Sequence, residues 1–128
     1  MADVFQLIDG EYYATSSNIA DAVNRAMSES ARVINLSLGG YGPDDLVMHN
    51  AIDTAASKGV VVCAAGGNGD DADNPITNPI YPGNYDSSIS VVPVDSSNVR
   101  PAWADYNRYK GIAAPGVYIY ITVPGNNH

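Results

Sequence analysis

Residues 58–70, Lys58-Gly59-Val60-Val61-Val62-Cys63-Ala64-Ala65-Gly66-Gly67-Asn68-Gly69-Asp70, constrain the fold more than any other stretch of the chain. A glycine precedes a run of small β-formers, and two alanines, two glycines and an asparagine follow it. That pattern reads as a buried parallel strand emptying into a loop that another group approaches closely. Ligands of open α/β sheets gather at the carboxyl ends of the strands, so the loop is the candidate site and the strand its scaffold. Gly66 and Gly67 lack a Cβ and have positive φ open to them, while Asn68 presents an amide donor at the rim of the cleft. An Asn-Gly turn with no ligand is the plainer reading of the same residues, because both types tolerate left-handed backbone angles.

The segments before this stretch set its context. Asp3-Val4-Phe5-Gln6-Leu7-Ile8 is apolar and β-prone and ends at a turn signal, Asp9-Gly10, which predicts a first strand. Ser16-Ser17-Asn18 supplies N-cap candidates for a helix running to about Ser30, with Ile19, Val23, Ala26 and Met27 on one face. Arg32–Leu38 is a second strand, broken by Gly39-Gly40-Tyr41-Gly42-Pro43. Asp44 or Asp45 caps a second helix with apolar positions Leu46, Val47, Ile52, Ala55 and Ala56, and Gly59 stops it. The resulting β-α-β-α-β order predicts a parallel, doubly wound α/β sheet.

The second half is poor in helix signals. Asp70 to Asp86 reads as loop, and Ser88–Val94 resumes a strand in which Pro93 demands an edge position or a strand end. Ala102-Trp103-Ala104, Gly111–Gly116 and Tyr118–Val123 are short β candidates. A three-layer α/β/α domain with an unfinished carboxyl-terminal half is therefore expected.

Composition narrows the partners. A chain of 128 residues with 45% hydrophobic content suits one domain, residues 1–128, able to bury roughly two-thirds of its unfolded surface. Six basic against fourteen acidic residues give a formal charge of −8, which argues against nucleic acid and anionic membrane as partners. Cys63 is the only cysteine and lies within the apolar strand, so a buried, inert thiol is the default and the redox compartment stays open. Met1 to Gln6 has neither a basic n-region nor an apolar core, so no secretory signal is expected there, and no run approaches the roughly 18 apolar residues of a membrane span.

Six blocks, Val33–Gly40, Gly59–Asn68, Tyr81-Pro82-Gly83-Asn84-Tyr85, Val94-Asp95-Ser96-Ser97-Asn98, Ala114-Pro115-Gly116-Val117 and Pro124-Gly125-Asn126, together resemble a subtilisin-like serine protease. Each block alone is weak, but their order and spacing cover nearly the whole chain from about Val4. The resemblance implies a partial subtilase domain and, in the parent family, hydrolysis of peptide bonds. It implies that Asn68 matches the oxyanion-hole asparagine, whose loss in subtilisin costs about 10²–10³ in kcat. Ser37-Leu38-Gly39 matches the extended segment that pairs with substrate backbone. Ala65, Gly66 and Gly67 match the opposite wall of the specificity pocket, where missing side chains are expected to leave room for a large apolar substrate residue. Tyr81-Pro82 matches the base of that pocket, with a peptide bond expected to be cis.

The family's Asp, His and Ser triad has no counterpart here. The sequence has no Gly-Thr-Ser, no Asp-Thr-Gly or Asp-Ser-Gly, no His-Gly-Thr and no Gly-x-Ser-x-Gly elbow. His49 lies mid-helix with no evident orienting acid, which suits a surface or partly buried helix histidine, and His128 is terminal. Ser87, Ser88, Ser96 and Ser97 sit at turns where hydroxyls bond to backbone.

Asp70, Asp71 and Asp73 beside Asn68 and Asn74 do not fit a calcium loop, since counting from Asp71 puts Ile76 and Pro82 where glycine and glutamate belong. No cofactor and no metal site are expected, although the family often carries calcium and a weak surface contact stays open. The nine tyrosines read as packing more readily than as a binding surface.

The expected partners are an extended peptide or protein substrate, protease segments outside this sequence, or a second copy of the chain. The expected activity of the chain alone is none. A non-enzymatic peptide-binding module, gripping a strand by β-addition, is the alternative. Subtilases are often secreted, but localisation is left open.

Overall fold

The structure, a computed structural model, describes residues 6–8, 11–70, 74–106 and 111–120. Two short strands, β1 (Gln6–Ile8) and β2 (Glu11–Tyr13), pair antiparallel and lead into helix α1 (Ser16–Ser28). Then come β3 (Val33–Leu36), β4 (Gly40–Tyr41), helix α2 (Leu46–Ser57), β5 (Val61–Ala65), β6 (Ile80–Tyr81), β7 (Ile89–Val94) and β8 (Ile112–Pro115). The main sheet is four-stranded and parallel in the order β3-β5-β7-β8, and β4 and β6 form a small antiparallel pair. This is the parallel α/β sheet expected from the sequence. The first predicted strand differs, because Gln6–Ile8 folds back on Glu11–Tyr13 instead of joining that sheet; Asp3 to Phe5 and the turn at Asp9-Gly10 lie outside the described residues.

Each helix is bounded by specific capping. The Thr15 hydroxyl accepts from the Asn18 N–H at 3.2 Å, so α1 is capped one residue before the predicted serines, and Ser30 at φ 63° ends it slightly early. Of the two cap candidates for α2 the structure uses Asp45, whose Oδ1 accepts from Val47 at 2.9 Å and Met48 at 3.3 Å. Those two bonds hold the Asp45 carboxyl below its ordinary value. Gly59, at φ 79°, turns the chain out of α2 as predicted.

The register explains the core. Ile34, Leu36, Val62 and Ala64 share the sheet face covered by Ile19, Ala20 and Val23 of α1 and Met48, Ala51, Ile52 and Ala55 of α2. Leu46 and Val47, predicted to line α2's buried face, are exposed instead, since the inward stripe begins at Met48 and continues at the i, i+3, i+4, i+7 spacing. On the opposite face Val33, Val61, Ile89 and Ile112 are all exposed, Val33 to 62%. Strand β5 is thus buried on one face only, and the described residues contain two layers, with both helices on the same side of the sheet.

Two further differences have simple causes. Pro93 sits inside β7, which is flanked by β5 and β8, yet β5 pairs no further than Val91, so the missing N–H falls beyond the end of that ladder. Ala102-Trp103-Ala104 forms turns, and Tyr118 to Tyr120 is irregular, with Tyr118 at φ 56° and its side chain fully exposed; residues 121–123 lie outside the described residues.

Candidate functional site

Because β3 and β5 are parallel neighbours, the segments leaving their carboxyl ends emerge side by side. A cavity of about 390 Å³ opens there, lined among others by Asn35, Ser37, Ala65, Asn68, Trp103 and Ala114. The Asn35 Nδ2 donates to the Ser37 Oγ at 2.9 Å and fixes that hydroxyl, while the Asn68 side chain is exposed at the rim. Leu38, Gly39 and Tyr81 line a second cavity of about 500 Å³, together with Tyr41, Asp45 and Met48. The structure therefore brings Asn68, Ser37 and Ala65 around one space and Leu38, Gly39 and Tyr81 around another. Gly66, Gly67 and Pro82 are buried and line neither.

The first cavity can donate hydrogen bonds to a carbonyl, but none of its lining residues is a carboxylic acid or a histidine. It can orient and polarise. Among the described residues lining it, no group can take a proton from a nucleophile.

His49 lies on α2 and lines neither cavity. Contrary to the sequence reading it does have an orienting acid, with Nδ1 2.7 Å from Asp44 and Nε2 3.7 Å from Asp53. Its ring stacks on Tyr85 at 4.1 Å, and Tyr85 stacks on Tyr81 at 4.8 Å. Ser87 donates to Asp53 at 2.6 Å rather than to the imidazole. The cluster clamps the loop carrying Tyr81 and Tyr85 onto α2. Burial, then the neighbouring Asp44, pushes the Tyr85 phenol well above its ordinary range, so it stays protonated.

Sequence reasoning missed the residue that holds the Asn68 loop. Asp105 is fully buried, and its Oδ1 accepts from the Gly69 N–H at 3.0 Å and the Ile76 N–H at 2.7 Å. Its backbone N–H donates to the Gly67 carbonyl at 3.3 Å, so one residue grips both sequence neighbours of Asn68. The Tyr41 hydroxyl donates to the Asp105 Oδ2, tying β4 to the same loop. Burial and this carboxylate raise the Tyr41 phenol far above its ordinary range and keep its proton in place. A Cβ at Gly67, where φ is 104°, would run into the Asp105 carboxylate, and one at Gly66 would lie 2.6 Å from Val92 Cγ1. In the direction a Cβ would take, these two glycines make room for the protein's own side chains. The only signal in the sequence was an aspartate in an apolar, turn-rich setting.

The turn at residues 80–83 touches both segments, with Ile80 against Gly39 and Gly83 against the Ala65 carbonyl. The Tyr81-Pro82 peptide bond is cis, as the resemblance implied. Gly83 packs so closely on the Ala65 carbonyl that a Cβ could not fit, and Asn84 Oδ1 accepts from the Ile80 N–H at 3.2 Å. As for metals, the described residues include no group of three metal-ligating side chains; Asp70 instead accepts from the Asn74 N–H at 2.9 Å, and Asp71 and Asp73 lie outside the described residues.

The profile of the Subtilase family matches residues 3–127. The chain belongs to the subtilase family. Thermitase of Thermoactinomyces vulgaris is 35% identical over 124 residues, covering 96% of this chain and 42% of thermitase. Subtilisin DY of Bacillus licheniformis is 36% identical over 114 residues, covering 89% of this chain and 41% of that protein. Among solved structures, a protease of Pseudoalteromonas arctica superposes with a TM-score of 0.71 at 34% identity, over 80% of this chain and 32% of that one. The prenylagaramide maturation protease PagA shares the fold, with a TM-score of 0.74 at 22% identity over 84% of this chain. This chain spans less than half the length of each of these proteins.

Proposed function

We propose that residues 1–128 form part of a single subtilisin-like serine endopeptidase domain, the part that binds extended substrate and supplies the oxyanion hole. In this reading the Asn68 side-chain amide donates to the negative oxygen of the tetrahedral intermediate. Ser37-Leu38-Gly39 pairs with substrate backbone, Ala65-Gly66-Gly67 forms the facing wall, and Tyr81-Pro82 lies at the base. The substrate is an unfolded peptide or protein segment.

The observation that carries the reading is the meeting of Asn68, Ser37 and Ala65 around one cavity at the tips of β3 and β5. A preorganised donor at the carboxyl end of a parallel sheet is what stabilisation of a developing oxyanion needs. Among the described residues that line this cavity none is an acid or a base, and the triad motifs are not among the 128 residues, so the chain by itself is expected not to turn over peptides. The exposed apolar strip of Val33, Val61, Ile89 and Ile112 supports a domain whose sheet is closed on its second face by further polypeptide.

Incubating the purified chain with casein and with a fluorogenic peptide tests this. No release above buffer is expected, for the wild-type chain or for Asn68→Ala. Turnover that persists in chelator and disappears in Asn68→Ala would overturn the claim of inactivity while upholding the role of Asn68.

A further inference from the structure

A hydroxyl borne by the chain that leaves β3 reaches the clamp on the loop that leaves β5. Tyr41 stands on β4, directly after Gly40, and donates to Oδ2 of Asp105, 64 residues away. Pairing of Tyr41 with Ile80 in the small sheet fixes the base from which its ring reaches out. The other oxygen of the carboxylate accepts from the Gly69 and Ile76 N–H groups at 3.0 Å and 2.7 Å. Asp105 is 0% exposed, so water does not reach either oxygen. Without the Tyr41 hydroxyl, Oδ2 would be a buried carboxylate oxygen with no donor among the described residues. A carboxylate in that state turns towards another donor or draws in water, and either motion takes Oδ1 off Gly69.

Packing leaves the clamp little slack. A Cβ on Gly67 would overlap the same Oδ2, so the carboxylate lies against the residue before Asn68 while it bonds the residue after it. Burial, and then the bond to Asp105, keeps the Tyr41 proton in place throughout the neutral range. The Asn68 side chain is exposed and no hydrogen bond to a described residue holds it, so its aim depends on its backbone.

We infer that Tyr41 is a positioning residue for the Asn68 amide, acting through the Asp105 carboxylate that grips both neighbours of that asparagine. The inference rests on the reading of Asn68 as an oxyanion donor and adds what aims it. A donor aimed in advance has no reorganisation to undergo when charge develops.

The test follows the whole isotope-labelled chain by NMR, as wild type, Tyr41→Phe, Asp105→Ala and the double variant. Backbone order parameters of about 0.85 are expected at Gly67, Asn68 and Gly69 in the wild type, falling below about 0.6 in Tyr41→Phe. Val62 and Ala64 in β5 are expected to keep theirs. The double variant is expected to lose little beyond Asp105→Ala, because the two groups act in series. Retained order at Asn68 in Tyr41→Phe would overturn the inference. A loss spread evenly over β5 would overturn it too, since that marks a merely structural hydroxyl. If Asp105→Ala fails to fold, the comparison of Tyr41→Phe with the wild type still decides.

Adding tetra-alanine to the wild-type chain separates this inference from the reading it rests on. Amide shifts at Asn68 and Ser37 are expected by several millimolar peptide. Their absence, with loop order still lost in Tyr41→Phe, would overturn the role of Asn68 towards substrate and leave Tyr41 and Asp105 as the brace of its loop.

Discussion

The two faces of the four-stranded sheet come from the same strands and differ in almost everything else. Under α1 and α2, Ile34, Leu36, Val62 and Ala64 pack against Val23 and Ile52, with Ile52 at 0% exposure. On the reverse, Val33, Val61, Ile89 and Ile112 point outward with no described element over them. Alternation along a strand makes this a difference of parity alone, since adjacent residues such as Val61 and Val62 have nearly the same chemistry and opposite surroundings. The lesson is that stability and function are divided. The covered face holds the scaffold together, and the loops at the strand tips, braced by Asp105, hold the candidate site.

That division can be broken most decisively by one residue from each face. Ile52→Ala empties a fully buried position and is expected to cost about 2–5 kcal/mol, whereas Val61→Ala on the open face is expected to stay within about 0.5 kcal/mol. Urea titrations of the two variants measure both. Comparable losses would show that the open face carries stability after all.

An effect of the same order sharpens the role of the brace. Asp105→Ala leaves the Gly69 and Ile76 N–H groups without their acceptor, at about 1–3 kcal/mol for each group left unpaired. Hydrogen exchange is expected to show these two amides losing protection while Val62 and Ala64 in β5 keep theirs. Uniform loss across β5 would mean that site and scaffold form one cooperative unit.

The mildest effect concerns acid. The Asp45 carboxyl titrates below its ordinary 3.8 because Val47 and Met48 donate to it. Its folded-state value is therefore lower than its unfolded one. The stabilisation is fully present above 3.8 and fades as pH falls through the folded value. Asp45→Asn keeps a capping oxygen and removes the charge, so its melting temperature is expected to fall less than that of the wild-type chain between pH 5 and pH 2. Parallel falls would detach the cap from the acid response.

Much of the fold was legible because local chemistry and final environment agree. Glycine, β-branched run and glycine again gave β5 and its loop, and Asp45 and Gly59 bounded α2. What was not legible depends on distant partners. Leu46 and Val47 look like core until the angle of α2 on the sheet is known. Pro93 looks like an edge marker until the length of β5 is known. Asp105 is the extreme case, because it meets Ile76, Gly69 and Tyr41 from 29, 36 and 64 residues away. At the candidate site, Asn68 and Ser37 could be placed beside each other from strand order, but the filling of the space near Gly39, Gly66 and Gly67 could not.

The interlock of Gly67 with Asp105 also limits how this loop can be altered. Any larger residue grafted at Gly67 would evict the acid that steadies both flanks of Asn68, so redesign has to change Gly67 and Asp105 together, as one hinge pin and its socket.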